Sequence, residues 1–176
     1  MDQAEHIGLG PPRTRRSRET ALDQVFAGSY RRLVVQLYGV VGDAAEAEDL
    51  VQEAFVRAAS SRSRFDRVDN PEAWLRTTAI NLHRNRWRKL RNFSKVRAQL
   101  VQPVDLPGLE EHLAVVDALR TLPEAQRVVL ALHYLADLQL SEIAATLEIA
   151  EGTVKSRLSR GREALAQALS EEDGDV

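Results

Sequence analysis

Lys155, Arg157, Arg160 and Arg162 fall within eight residues near the end of the chain, interleaved with Gly152, Thr153, Ser156 and Ser159. Small polar and basic side chains on one helix suit contact with the edges of paired bases, while the cations anchor on phosphate. A second basic run, His83-Arg84-Asn85-Arg86-Trp87-Arg88-Lys89-Leu90-Arg91, carries an aromatic ring among its cations and follows Arg64-Phe65 and Trp74. That mixture matches unpaired bases, which stack on exposed rings while arginines hold the backbone. A third set, Asp49, Gln52, Glu53 and Val56, recurs at three and four and so shares a helix face. A valine among acids there hints at a protein partner, and its negative charge sets that face apart from any surface meeting DNA.

The charges are sorted along the chain. Five acids and no base lie between Asp43 and Glu53, and seven bases and no acid between Arg84 and Arg97, although the net charge is only -2. The chain has no cysteine, which excludes disulfides, thiolate metal sites and thiol nucleophiles. His6, His83, His112 and His133 are too scattered for a helical ligand pair. No glycine-rich phosphate loop, Gly-x-Ser-x-Gly elbow or His-Glu-x-x-His occurs, so neither enzyme activity nor a cofactor or metal is expected. No apolar run approaches the roughly 20 residues that cross a bilayer, and the first residues lack the order of a secretion signal, so a cytoplasmic protein without membrane insertion is expected.

The elements that must position these residues are helices. With 176 residues, 5% of them aromatic, the chain has room for one ordinary domain or two small ones. Residues 1–19 read as a disordered basic arm. Leu22, Val25, Phe26, Tyr30, Leu33, Val34, Leu37 and Val41 follow a helical period that Gly42 ends. Asp43 and Glu46 imitate a capping box ahead of a stripe formed by Ala47, Leu50, Val51, Ala54, Phe55 and Ala58. An arginine-rich loop covers Ser60 to Asp69, after which Asn70-Pro71 opens a third helix whose buried face uses Trp74, Leu75, Thr78, Ala79 and Leu82. Residues 98–110, with Pro103 and Pro107-Gly108, read as a flexible linker.

Beyond the linker, one helix carries Leu113, Val116 and Leu119, and a second opens at Pro123 with Val128, Val129 and Leu132 inside. Leu140 to Arg160 then forms a helix-turn-helix, with Ile149, Val154 and Leu158 holding its second helix and Ala144 at the close approach. Glu148 occupies the turn position usually given to glycine, and Gln139 is a poor cap. Residues 171–176 read as an acidic tail. On these features alone, an ordinary helix-turn-helix regulator with an N-terminal dimerisation or sensing domain stays open as a reading.

The blocks Ala47-Glu48-Asp49-Leu50-Val51-Gln52-Glu53-Ala54-Phe55-Val56-Arg57, Asn70-Pro71-Glu72-Ala73-Trp74-Leu75 with Asn81-Leu82, Leu122-Pro123-Glu124-Ala125-Gln126-Arg127 and Glu151-Gly152-Thr153-Val154-Lys155-Ser156-Arg157-Leu158-Ser159-Arg160 stand in a telling order. Together they resemble the extracytoplasmic-function (ECF) group of the bacterial sigma-70 family. The resemblance implies an all-α protein of two small domains, region 2 over residues 20–97 and region 4 over 111–170, that takes core RNA polymerase to promoters and helps to melt them. It implies docking on the polymerase β′ coiled coil through Asp49, Leu50, Gln52, Glu53 and Val56, with the β flap as a further contact. It assigns the melted minus-ten strand to Arg64, Phe65, Asn81, Arg84, Asn85, Trp87 and Arg88. The minus-thirty-five duplex falls to Glu151, Thr153, Lys155, Ser156, Arg157, Ser159 and Arg160, and an anti-sigma factor is a further expected partner. Asn85 and Ala150 depart from the aspartate and proline of many relatives.

Overall fold

The computed structural model describes residues 21–92 and 110–172, and every described element is helical. The N-terminal arm, most of the linker and the last residues of the tail lie outside them. Helix α1 (Ala21–Val41) buries Leu33, Val34, Leu37, Tyr38 and Val40. It ends where Gly42 takes φ +81, a left-handed value that glycine adopts without a Cβ clash, and the Gly42 N–H donates to the Tyr38 carbonyl at 2.7 Å.

Helix α2 (Ala44–Ser60) starts where the Asp43 carboxylate accepts the Glu46 N–H at 2.7 Å. The capping box is only half made, because the Glu46 carboxylate turns to His83 instead. All six residues of the expected stripe are buried. The expected loop contains a single helical turn, α3 (Arg62–Phe65), which closes on i→i+4 bonds after Ser61. Helix α4 (Pro71–Asn92) opens as the sequence suggests, with the Asn70 side chain accepting from the Ala73 N–H at 3.0 Å. Its buried face is wider than expected and takes in Ile80, Arg76 and His83. Arg76 is buried because Gln36 accepts from its Nε at 3.0 Å and Glu72 lies 3.8 Å away; burial nevertheless pushes the guanidinium below its ordinary value.

In the second half, α5 (Glu110–Arg120) and α6 (Glu124–Tyr134) precede the helix-turn-helix of α7 (Leu140–Leu147) and α8 (Glu151–Glu172). Ile143, Leu147, Val154 and Leu158 form its core. The weak cap at Gln139 is compensated by Glu142, whose carboxylate accepts the Gln139 N–H at 2.8 Å. Glu148 does adopt the left-handed turn conformation, at φ 55, and the Ile149 N–H reaches the Ala144 carbonyl at 3.1 Å. Residues 171 and 172, expected in the tail, continue α8.

The two halves share one continuous apolar core, in which α1 packs on α2 and α4 and also on α5 and α6. Helix α1 has no basic residue in its last turn to meet its free carbonyls. Arg127 of α6 supplies one, donating from Nε to the Val40 carbonyl at 3.1 Å. Nearby, His83 is 2% exposed and lies between Glu46 of α2, 3.0 Å from Nδ1, and Glu124 of α6, 3.8 Å from Nε2. Burial alone would lower its pKa, but the two carboxylates outweigh burial and raise it above the ordinary 6.5. Protonated His83 therefore stabilises the fold fully below about pH 6.5, and that contribution is lost as pH climbs through the raised value. The thermal midpoint should fall as pH rises above about 6.5 through the raised value, and His83→Gln should flatten the profile; equal slopes in scanning calorimetry would rule the contribution out.

Candidate nucleic-acid interface and docking face

The outer face of α2 presents Asp49, Gln52 and Val56, with Val56 63% exposed. No cation among the described residues pairs with Asp49. Glu53 is different: Arg57 donates to one carboxylate oxygen at 2.9 Å and Arg86 to the other at 2.8 Å. Desolvation opposes its ionisation, but the two guanidiniums win and hold the carboxyl below its ordinary value. Its charge is thus met within the chain, and it ties α2 to the basic half of α4.

Leu50, expected at the docking face, is 0% exposed and cannot present its side chain to a partner. It sits one residue from Asp49, and a helix rotates by about 100° per residue, which turns it into the core. Beside this face lies an aromatic group that the α1 pattern did not reveal. Phe26 is 46% exposed and stacks on Tyr30 at 4.7 Å, and Phe55 meets Phe26 edge-on at 5.0 Å. The Tyr30 hydroxyl accepts from the Gln52 amide at 3.3 Å, so this aromatic group adjoins the Asp49 face. Periodicity marked Phe26 and Tyr30 as core; among the described residues Phe26 is left exposed and Tyr30 half-buried, with Phe55 of α2 packed against both.

On α4, Asn85 and Arg88 are exposed, and Asn81, Arg84 and Trp87 half-buried. The Asn85 carbonyl oxygen accepts from Arg88, while Arg84 lies 3.5 Å from the Glu148 carboxylate. The Trp87 ring meets the buried His83 ring edge-on at 6.5 Å. Arg64 is exposed on α3. Its neighbour Phe65, expected to stack on a base, is 3% exposed and packs edge-on against Trp74 at 5.3 Å. The turn of α3 rotates that ring inward, where it closes the core beneath α4.

On α8, Glu151, Lys155, Ser156, Ser159 and Arg160 are exposed and Thr153 and Arg157 half-buried. Arg160 donates from Nε to the Ser156 carbonyl at 3.3 Å and from its terminal nitrogen to the Ser156 hydroxyl at 3.2 Å. Ser159 donates to Glu163 at 3.2 Å. Arg162 lies over the Tyr134 ring at 5.7 Å and donates to its hydroxyl at 2.8 Å. Among the described residues, no group of three or more His, Asp or Glu side chains is placed to hold a metal ion, and no helix is long and apolar enough to cross a membrane.

A helix-turn-helix with a basic second helix, a separate basic aromatic helix and an acidic helix face are the features of a DNA-binding transcription factor. Residues 26–93 match Sigma-70 region 2 and residues 112–165 match Sigma-70, region 4. The ECF RNA polymerase sigma factor SigW of Bacillus subtilis is 36% identical over 158 residues, 80% of this chain and 84% of that protein. SigL of Mycobacterium tuberculosis, also an ECF RNA polymerase sigma factor, is 36% identical over 75% of this chain and 79% of its own length. The sigma factor RpoE of Bartonella quintana, solved with the anti-sigma factor NepR, superposes with a TM-score of 0.64 at 26% identity, over 84% of this chain and 95% of that one. The chain belongs to the ECF RNA polymerase sigma factors, which bind core polymerase and direct it to promoters.

Phe65→Ala should cost about 3–5 kcal/mol of folding stability, the usual penalty for emptying a buried phenylalanine site. A base-stacking ring would instead leave urea denaturation unchanged, so the denaturation midpoint separates the two roles.

Proposed function

We propose that the work of this sigma factor is divided among three surfaces of its helices. The outer face of α2, centred on Asp49 with Gln52, Val56 and the adjoining aromatic group, docks on the β′ coiled coil. The observation that carries this reading is an uncompensated carboxylate beside a largely exposed valine, an arrangement that leaves water only against a partner. Glu53 acts on the same contact indirectly, through Arg86 and Arg57. The exposed side of α4, with Asn81, Arg84, Asn85 and Arg88 and with Trp87 and Arg64 at its margins, holds the unpaired minus-ten strand. Helix α8 enters the minus-thirty-five major groove, with Lys155 and Arg157 on phosphate and Ser156 and Arg160 toward bases, while Glu151, Thr153 and Ser159 border the contact.

The division places region 2 over residues 20–97 and region 4, which meets the β flap, over 111–170. The protein works by binding rather than by catalysis, in the cytoplasm where polymerase is. An anti-sigma factor covering the Phe26, Tyr30 and Val56 surface would compete with polymerase, a reading supported by the likeness to a sigma factor solved with such a partner.

Asp49→Arg should abolish co-purification with core polymerase while far-ultraviolet dichroism stays unchanged; retained co-purification would remove α2 from the docking surface. Arg84→Ala with Arg88→Ala should leave core binding intact yet reduce permanganate reactivity of the promoter in the holoenzyme. Full melting by that variant would reduce α4 to a solvated face. Arg160→Ala should cost about 1–3 kcal/mol of upstream duplex binding and relax sequence preference at the contacted position, as read from a promoter library.

A further inference from the structure

Helix α8 carries four cations, and they are held in different ways. Lys155, exposed, and Arg157, half-buried, make no side-chain hydrogen bond or ion pair among the described residues. Arg162 is fastened to Tyr134 of α6. Arg160 has its anchor on α8 itself, one turn back. Its Nε donates to the Ser156 carbonyl at 3.3 Å and its Nη2 to the Ser156 hydroxyl at 3.2 Å. That hydroxyl in turn donates to the Thr153 carbonyl at 3.0 Å. Ser156 stands two residues from Val154 and two from Leu158, so at about 100° per residue it lies opposite the core that those two enter.

A serine hydroxyl has one proton to give. Here the Thr153 carbonyl takes it, so in this arrangement Ser156 has none to offer a base, and its oxygen fixes Arg160 instead. The two bonds occupy the side-on edge of the guanidinium, Nε with Nη2. They leave Nη1 and the second Nη2 hydrogen as a parallel pair of donors. Such a pair matches O6 and N7 of guanine in the major groove. Glu163, three residues beyond Arg160, is a competing anchor for the cation. Ser159 engages that carboxylate at 3.2 Å, and among the described residues Arg160 forms no ion pair with it. A long side chain that is ordered before contact loses less freedom on binding.

We propose that Ser156 is a positioning residue for Arg160: it holds the guanidinium along the outer face of α8 with one edge free for a single guanine, and does not itself read a base. The proposal rests on the assignment of α8 to the upstream duplex. Both bonds to Arg160 are exposed and at the long end of the usual range, so they order the side chain and add little to the fold.

The test uses holoenzymes matched for core occupancy and a promoter library randomised across the upstream element. Arg160→Ala should relax preference at one base pair, where the wild-type protein selects guanine. Ser156→Ala should relax preference at that same base pair by a smaller factor, about two- to tenfold, the usual cost of ordering one long side chain. Preference at the other pairs should stay as in wild type. Ser156→Thr keeps a hydroxyl that can bond the carbonyl three residues back, and should restore the wild-type preference. The double alanine variant should match Arg160→Ala alone. An effect of Ser156→Ala at a different base pair would mean that the serine reads DNA itself, and would overturn the proposal. So would selection unaltered by Ser156→Ala, an additive double variant, no rescue by threonine, or a base other than guanine at the pair that Arg160 governs. Failure of the α8 assignment shows separately: Arg160→Ala would then leave every upstream preference unchanged, and the positioning role would fall with it.

Discussion

The packing of α6 against α1 at Gly39 is the constraint on which the rest of this structure depends. Helix α1 packs on α2 and α4 and also on α5 and α6, so a single helix joins both halves into one core. A Cβ at position 39 would press on the end of the Leu135 side chain and stand 3.2 Å from the Ala131 Cβ, so glycine allows α6 its close approach beside the Arg127 bond to the Val40 carbonyl. The apolar contact sets the distance at which the polar ones can form. Hydrophobic burial is non-directional, so it brings the halves together, and the directed bonds at Val40 and His83 fix their register.

Electrostatics then determines which surfaces remain available. Within the first half, Glu53 is neutralised by Arg57 and Arg86, whereas Asp49 on the same helix face meets no cation among the described residues. Along α4, Arg84 and Arg86 both find carboxylates, one across the half boundary and one within it, while Arg88, among the described residues, meets the neutral Asn85. A helix that reads as a uniform basic rod in sequence is therefore graded in the folded chain. An exposed guanidinium bound to a neutral amide is easily recruited by phosphate, and one bound between helices is held back to fix geometry.

Much of this was legible because helical period and caps are local. The six-residue stripe of α2, the Asn70-Pro71 start of α4 and the helix-turn-helix core at Val154 and Leu158 are where spacing puts them. The left-handed turn was legible as well, although Glu148 occupies it in place of glycine. The errors came from tertiary packing. Phe65 reads as an exposed ring in an arginine-rich loop, but the single turn of α3 points it at Trp74. Leu50 shares a motif with Asp49 and not a face. Phe26 follows the α1 period, yet among the described residues Tyr30 and Phe55 cover only part of its ring. His83 looked isolated because its two carboxylates, Glu46 and Glu124, are far away in sequence.

The same distinction explains why a chain of net charge -2 can serve DNA. Binding responds to the potential at a surface within about one Debye length, roughly 8–10 Å in physiological salt, and not to the sum over the molecule. Glu148, 3.5 Å from Arg84, lies within that distance of α4 and offsets part of its positive charge. The acids that lower the net charge therefore matter to DNA through where they stand, and the position of α6 on α1 sets where that is.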